Sequence, residues 1–152
     1  MAKSEKQKLK LLYIIQCLME KTDEEHAVTT QEIIDYLALQ GITAERKSIY
    51  TDIDLLIDFG MDIIKKPGRS GGYTLASRQF ELAELKLLVD AVQSSKFITT
   101  KKSRELIGKL ETLCSKYEAT QLHRQVVVTN RNKAVNENIY YNVDIIYNAI
   151  AE

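Results

Sequence analysis

Arg46, Lys47, Ser48, Tyr50 and Thr51 fall within one short stretch of the chain, and Lys65, Lys66, Arg69 and Ser70 within another. Guanidinium and ammonium groups displace the counterions condensed on phosphates, while hydroxyl groups add directed hydrogen bonds. These residue types suit a nucleic-acid contact, with double-stranded DNA as the partner.

Residues able to do covalent or metal chemistry are placed differently. There are two histidines and two cysteines. His26 reads as a surface loop residue and His123 as one near a helix end, with no spacing to each other or to a cysteine that suits a metal. Cys17 and Cys114 lie far apart inside apolar helical patterns and read as small core side chains without a disulfide framework. Asp23-Glu24-Glu25 reads as a solvated charge run. Gly68, Gly71 and Gly72 lie between two strand-like segments, whereas a phosphate-cradling loop needs a following helix and a Lys-Ser/Thr pair. The pattern holds no catalytic constellation, metal site or cofactor motif, so the expectation is a binding protein and not an enzyme.

The elements around the two basic stretches explain how they meet. Residues 8–21 read as a helix, with Leu11, Ile15, Leu18 and Leu12, Met19 repeating on one side. Thr29 followed by Glu32 is a capping box, and Val28 and Ile33 are placed as its hydrophobic staple. The second helix carries Ile33, Ile34, Leu37 and Ala38 inward and stops at Gly41, which suits the left-handed position after a helix. Thr43 is the candidate cap of a third helix that runs to about Asp58 and ends at Gly60. There Ile49, Ile53 and Leu56 share a buried stripe, which puts Lys47, Tyr50, Thr51 and Asp54 on the opposite face with Arg46 at its flank. Such a face also suits ordinary solvated side chains, and the segment that follows decides between the two. Residues 61–65 and 73–75 read as strands joined by a loop that holds the only proline, three of the six glycines and Lys65, Lys66 and Arg69. A helix-turn-helix followed by a basic hairpin is a winged helix, with base-reading residues near the N-terminal end of its third helix.

Net charge does not announce this partner. The 152 residues carry 21 Lys and Arg against 21 Asp and Glu, so DNA binding requires local clustering of Lys3, Lys6, Lys8, Lys10, Arg46, Lys47, Lys65, Lys66 and Arg69. Hydrophobic residues make up 45% and charged ones 28%, a globular balance. No apolar run approaches the roughly 20 residues of a membrane span. Residues 1–10 lack the apolar stretch of a signal peptide. A reduced, cytoplasmic setting and no membrane partner are expected.

The run Arg46-Lys47-Ser48-Ile49-Tyr50-Thr51-Asp52-Ile53-Asp54-Leu55-Leu56, then Phe59-Gly60-Met61 and Gly71-Gly72-Tyr73-Thr74-Leu75, resembles the winged-helix regulators of the DeoR-like and WYL-domain group. Their recognition helix usually reads basic residue, threonine, isoleucine, any residue, arginine, aspartate, aliphatic, and their wing closes on Gly-Gly-Tyr-x-Leu. Thr51 stands where that family usually has arginine, which removes one phosphate or base contact. Asp52 matches the family aspartate and reads as a structural partner at the helix edge. The resemblance implies a bacterial transcription regulator whose recognition helix enters the major groove while its wing follows the backbone.

The expected fold is therefore mainly α: a winged helix-turn-helix of three helices plus a β-hairpin wing at residues 1–76, then a small helical linker or dimerisation region at residues 77–152. Residues 80–92 form its first helix, with Phe80, Ala83, Leu87 and Leu82, Leu85, Val89 apolar. Residues 101–116 form a second, capped by Thr100, with Leu106, Leu110, Leu113 and Cys114 on one stripe. Residues 125–129 read as a short extended piece. Asn136 or Asn138 caps a last helix with Ile139, Val143, Ile146, Tyr147 and Ile150 inward. These stripes exceed the needs of one small layer, so a homodimer is expected. In WYL-type regulators a β-rich effector domain follows such a helix, and the resemblance implies that this domain, with its effector ligand, is absent here. The competing expectations are a winged-helix protein-interaction module without DNA binding, and a small-molecule sensor, for which no buried polar pocket is visible.

Overall fold

Helix α1 (Lys10–Lys21) buries Ile14, Cys17 and Leu18, with Leu11 and Ile15 packed beside them. The coordinates are a computed structural model, which describes residues 6–68, 71–126, 133–136 and 138–151. Leu12 and Met19, expected on the apolar side, are exposed. At 100° per residue they lie about 150° around the helix from Ile14, beyond the stripe that the core covers.

Helix α2 (Thr30–Leu39) starts where the capping box places it. The Glu32 amide donates to Thr29 Oγ1 at 3.2 Å, and the Thr29 amide donates to the Glu32 carboxylate at 2.7 Å. Val28 and Ile33 are both buried, as a staple requires. The helix closes on Gly41, at φ 75°: the Gly41 and Ile42 amides donate to the carbonyls of Ala38 and Leu37, each at 2.9 Å. Ile42 and Leu37 then meet in the core, the apolar contact that accompanies this double bond. Ala38, expected inward, is exposed, and Tyr36 is buried in its place.

Helix α3 (Arg46–Asp58) begins later than expected. Its N-cap is Glu45, in extended backbone, and not Thr43. Ile42 is drawn into the core, and residues 43–45 are irregular, with Glu45 extended, before the chain turns into a helix. The helix ends as α2 does, with the Gly60 amide on Ile57 and the Met61 amide on Leu56.

Strands β1 (Ile63–Lys66) and β2 (Gly72–Leu75) pair antiparallel, with Ile63 opposite Leu75 and Lys66 opposite Gly72. β1 starts two residues after the expected position because the Met61 amide is spent closing α3. Val28 adds a short third rung: it exchanges backbone hydrogen bonds with Tyr73 at 3.0 and 2.8 Å. Gly72 permits this approach, since a Cβ there would lie 2.2 Å from the Val28 carbonyl oxygen. Ile63, Tyr73 and Leu75 complete the core built by the three helices.

The chain divides into two compact units, Met1–Gln79 with Cys114–Tyr117, and Phe80–Leu113 with Glu118–Glu152. In the second, α4 (Leu82–Ser94) starts after Glu81, whose amide donates to the Glu84 carboxylate at 2.9 Å. Leu85 and Val89 are buried, while Leu87, on the expected apolar side, is exposed. The cap of α5 (Thr100–Glu111) is Thr99, which accepts from the Lys102 amide at 3.1 Å; Thr100 lies inside the helix. This helix stops at Glu111 and buries Ile107, with Leu106 and Leu110 half-buried beside it. Gln125 and Val126, expected to be extended, instead end helix α6 (Lys116–Val126), and the rest of that expected piece lies outside the described residues. Helix α7 (Asn138–Ala151) follows Asn136, which accepts from the Asn138 amide at 2.9 Å. Of its expected inward stripe, Ile139 and Val143 are half-buried, but Ile146, Tyr147 and Ile150 are 58%, 69% and 74% exposed. No described helix is long and apolar enough to cross a membrane.

Candidate nucleic-acid interface

Burial of Ile49, Ile53 and Leu56 fixes the roll of α3 and leaves Arg46, Lys47, Tyr50, Thr51 and Asp54 exposed. The Glu45 side chain does not cap the first turn, so the positive end of the helix dipole opens beside Arg46 and Lys47. The Arg46 guanidinium donates to the Gln31 side chain of α2 at 3.2 Å, which holds it at the start of the face. The Thr51 hydroxyl donates to the Lys47 carbonyl at 3.3 Å.

Ser48 sits apart from this group. It is half-buried and accepts from the Lys10 ammonium at 2.5 Å. The same ammonium lies 2.6 Å from Asp52, which is buried. Lys10, counted among the basic cluster, therefore directs its charge into the fold. Asp52 is the structural partner that its position at the helix edge suggested.

On the wing, the Lys65 ammonium donates to the Asp54 carboxylate at 2.6 Å and so ties β1 to the outward face of α3. This hydrogen bond raises the Lys65 pKa above the usual lysine value. Lys66 donates to the Glu24 carbonyl at 3.0 Å and is half-buried. Arg69, Ser70 and Lys3 lie outside the described residues.

Sequence reasoning missed the centre built on Asp23. Its carboxylate is buried and accepts from the Glu25 and His26 amides, from His26 Nδ1 at 2.7 Å and from the Ser115 hydroxyl at 2.5 Å. Burial alone would raise this carboxyl, but the bonds from Ser115, from the His26 ring and from the two amides outweigh it and hold it below the usual carboxylate range. Asp23 is thus no part of a solvated run, and His26 is no plain surface residue: its ring stacks on Tyr117 with centroids 3.7 Å apart. The local signal was a Thr-Asp pair directly after a helix, residues that fold back on nearby backbone amides. Arg78, also missed, donates to the carbonyls of Met19 and Thr22 at the end of α1. Both cysteines are buried and neither is in a disulfide, and burial pushes the Cys17 thiol up to about 11. Among the described residues no group of three His, Cys, Asp or Glu side chains is placed to hold a metal.

Three helices with a Gly-closed turn, followed by a hairpin packed against them, define a winged-helix-like domain. The family model of the FokI D3 domain matches residues 12–68, from α1 to the hairpin turn, which supports a DNA-binding domain of this class. No DeoR-like or WYL match supports the finer resemblance. No curated protein matches the chain, and no solved structure does.

Proposed function

We propose that the chain is a sequence-specific, DNA-binding transcription regulator of the bacterial cytoplasm. Helix α3 enters the major groove while the β1–β2 hairpin follows the sugar-phosphate backbone. One observation carries the reading: Arg46, Lys47, Tyr50 and Thr51 share the exposed face of the third helix, at its N-terminal end, in a region similar to the FokI D3 domain. In such domains that end of the recognition helix meets base edges. Lys65, Lys66, Arg69 and Ser70 are the wing contacts in this reading. The protein acts by binding, without catalysis or a cofactor. The motif resemblance to DeoR-like and WYL-group regulators belongs to the same proposal, as does a homodimer that presents two reading heads to paired half-sites.

Selection of random duplexes by the purified protein, followed by sequencing, tests the reading. A reproducible motif is expected. Lys66→Ala should weaken binding to the selected and to random duplexes alike and lower the salt slope by about one. Lys47→Ala should change which base is preferred. Binding that is unaffected by both changes, or no motif at all, sinks the proposal.

A second reading is a protein-interaction module. Leu55 and Phe59, on α3 and at its end, are 51% and 83% exposed, which is apolar surface that DNA does not need. Leu55→Ser with Phe59→Ser separates the readings, because it abolishes partner binding but leaves the salt-dependent duplex affinity intact.

A further inference from the structure

Asp54 is an acid on a face otherwise suited to an acidic polymer. It lies seven residues, two turns, beyond Lys47 and so on the same side of α3 as Lys47, Tyr50 and Thr51. Its side chain is 60% exposed, and the Lys65 ammonium of the wing holds one carboxylate oxygen at 2.6 Å. A carboxylate only accepts hydrogen bonds. Brought to a major-groove edge, it is attracted by an exocyclic amino group and repelled by the acceptor edges of guanine O6 and N7 or thymine O4. Cytosine offers its N4 amino group without an acceptor on the same base edge, whereas adenine sets N7 beside N6.

We propose that Asp54 is a specificity-determining residue that reads an amino group in the major groove, preferentially cytosine N4, with Lys65 as its positioning residue. This rests on the DNA-binding reading above and extends it to a residue outside the basic set. Lys65 acts in two ways. It fixes the carboxylate in one orientation, and it cancels the repulsion that a lone acid would feel from the phosphates on either side of the groove. Discrimination then arises as much from rejecting wrong edges as from welcoming the right one. The basic residues cannot supply this term, since donors favour the acceptor edges that Asp54 excludes.

The experiment is duplex selection with sequencing on the whole chain and on Asp54→Ala, Asp54→Asn and Lys65→Met, followed by titration of single-base variants of the selected site. Asp54 is exposed, so the variants should keep the parent's unfolding midpoint, which is checked first. The parent should prefer cytosine at one position by about 5- to 150-fold, the range of a good base contact. Asp54→Ala should flatten that position alone. Asp54→Asn should shift it towards adenine, whose N6 and N7 fit an amide. Lys65→Met should reduce the preference and also weaken binding overall. An unchanged motif in both Asp54 variants overturns the inference while the DNA-binding reading stands. Failure of the parent to select any motif overturns both.

Discussion

The Lys10 ammonium lies 2.6 Å from the Asp52 carboxylate and 2.5 Å from the Ser48 hydroxyl, so one side chain of α1 grips two residues on the flank of α3. Both charged side chains are largely withdrawn from water, at 13% and 11% exposure. Removing either alone leaves the other charge without its partner in a poorly solvated place.

Asp52→Leu or Lys10→Met alone should therefore destabilise the fold by about 3 kcal/mol. The double change Lys10→Met with Asp52→Leu should recover most of that loss, because no buried charge remains. Urea unfolding of the four proteins measures the coupling. Additive losses would show that the two side chains do not act as a pair.

Two glycines should respond differently to alanine. At Gly72 the added methyl carbon meets the Val28 carbonyl oxygen at 2.2 Å, so the hairpin must separate from residue 28, at a cost expected to exceed about 2 kcal/mol. At Gly60 the surroundings are open and only φ of 108° opposes the change, which should cost about 1–2 kcal/mol. Thermal melts compare the two. The Gly72 variant should also lose exchange protection at the Val28 amide, and the Gly60 variant should not.

The Asp23 carboxyl lies below its ordinary value in the folded protein. Its contribution to stability is thus fully present above the unfolded aspartate value of about 4 and is lost as pH falls towards the folded value. The stability gap between the parent and Asp23→Asn should be wide at neutral pH and narrow as the pH falls below about 4. A gap that stays constant would assign the acid sensitivity to other groups.

The Cys17 thiol, at about 11, holds roughly one thiolate in a thousand at pH 8 and is fully buried. Peptide mapping after brief exposure to a disulfide reagent should find Cys17 unmodified in buffer and modified in denaturant. Rapid labelling in buffer would mean that α1 opens locally.

What the sequence disclosed was set by reach. The Thr29–Glu32 box and the Gly41 stop were legible because each closes within one turn of chain. The α3 face followed from three apolar residues at fixed spacing. The Thr43 cap failed because burial of Ile42 is a tertiary demand, after which the helix starts only beyond the extended Glu45. Asp23 read as solvated because its strongest partner, Ser115, lies 92 residues away. Periodicity tells which residues share a face and not what covers it, so Ile146, Tyr147 and Ile150 form a stripe that the second unit leaves exposed.

The loop between α1 and α2 collects the hairpin from three sides: Thr22 receives the Leu75 amide at 3.1 Å, Glu24 receives Lys66, and Val28 pairs with Tyr73. The Thr22 to Leu75 bond joins positions 53 residues apart. Closing so long a chain segment carries an entropic cost that local helix formation does not. The helices are therefore expected to form before the wing docks, since docking uses the Thr22 hydroxyl and the Val28 backbone that a formed helical unit presents. The three attachments lie on one short loop, so docking the wing brings them together. Loss of these attachments with the helices intact would detach the basic hairpin and, with it, the Lys65 ammonium that holds Asp54 on the α3 face.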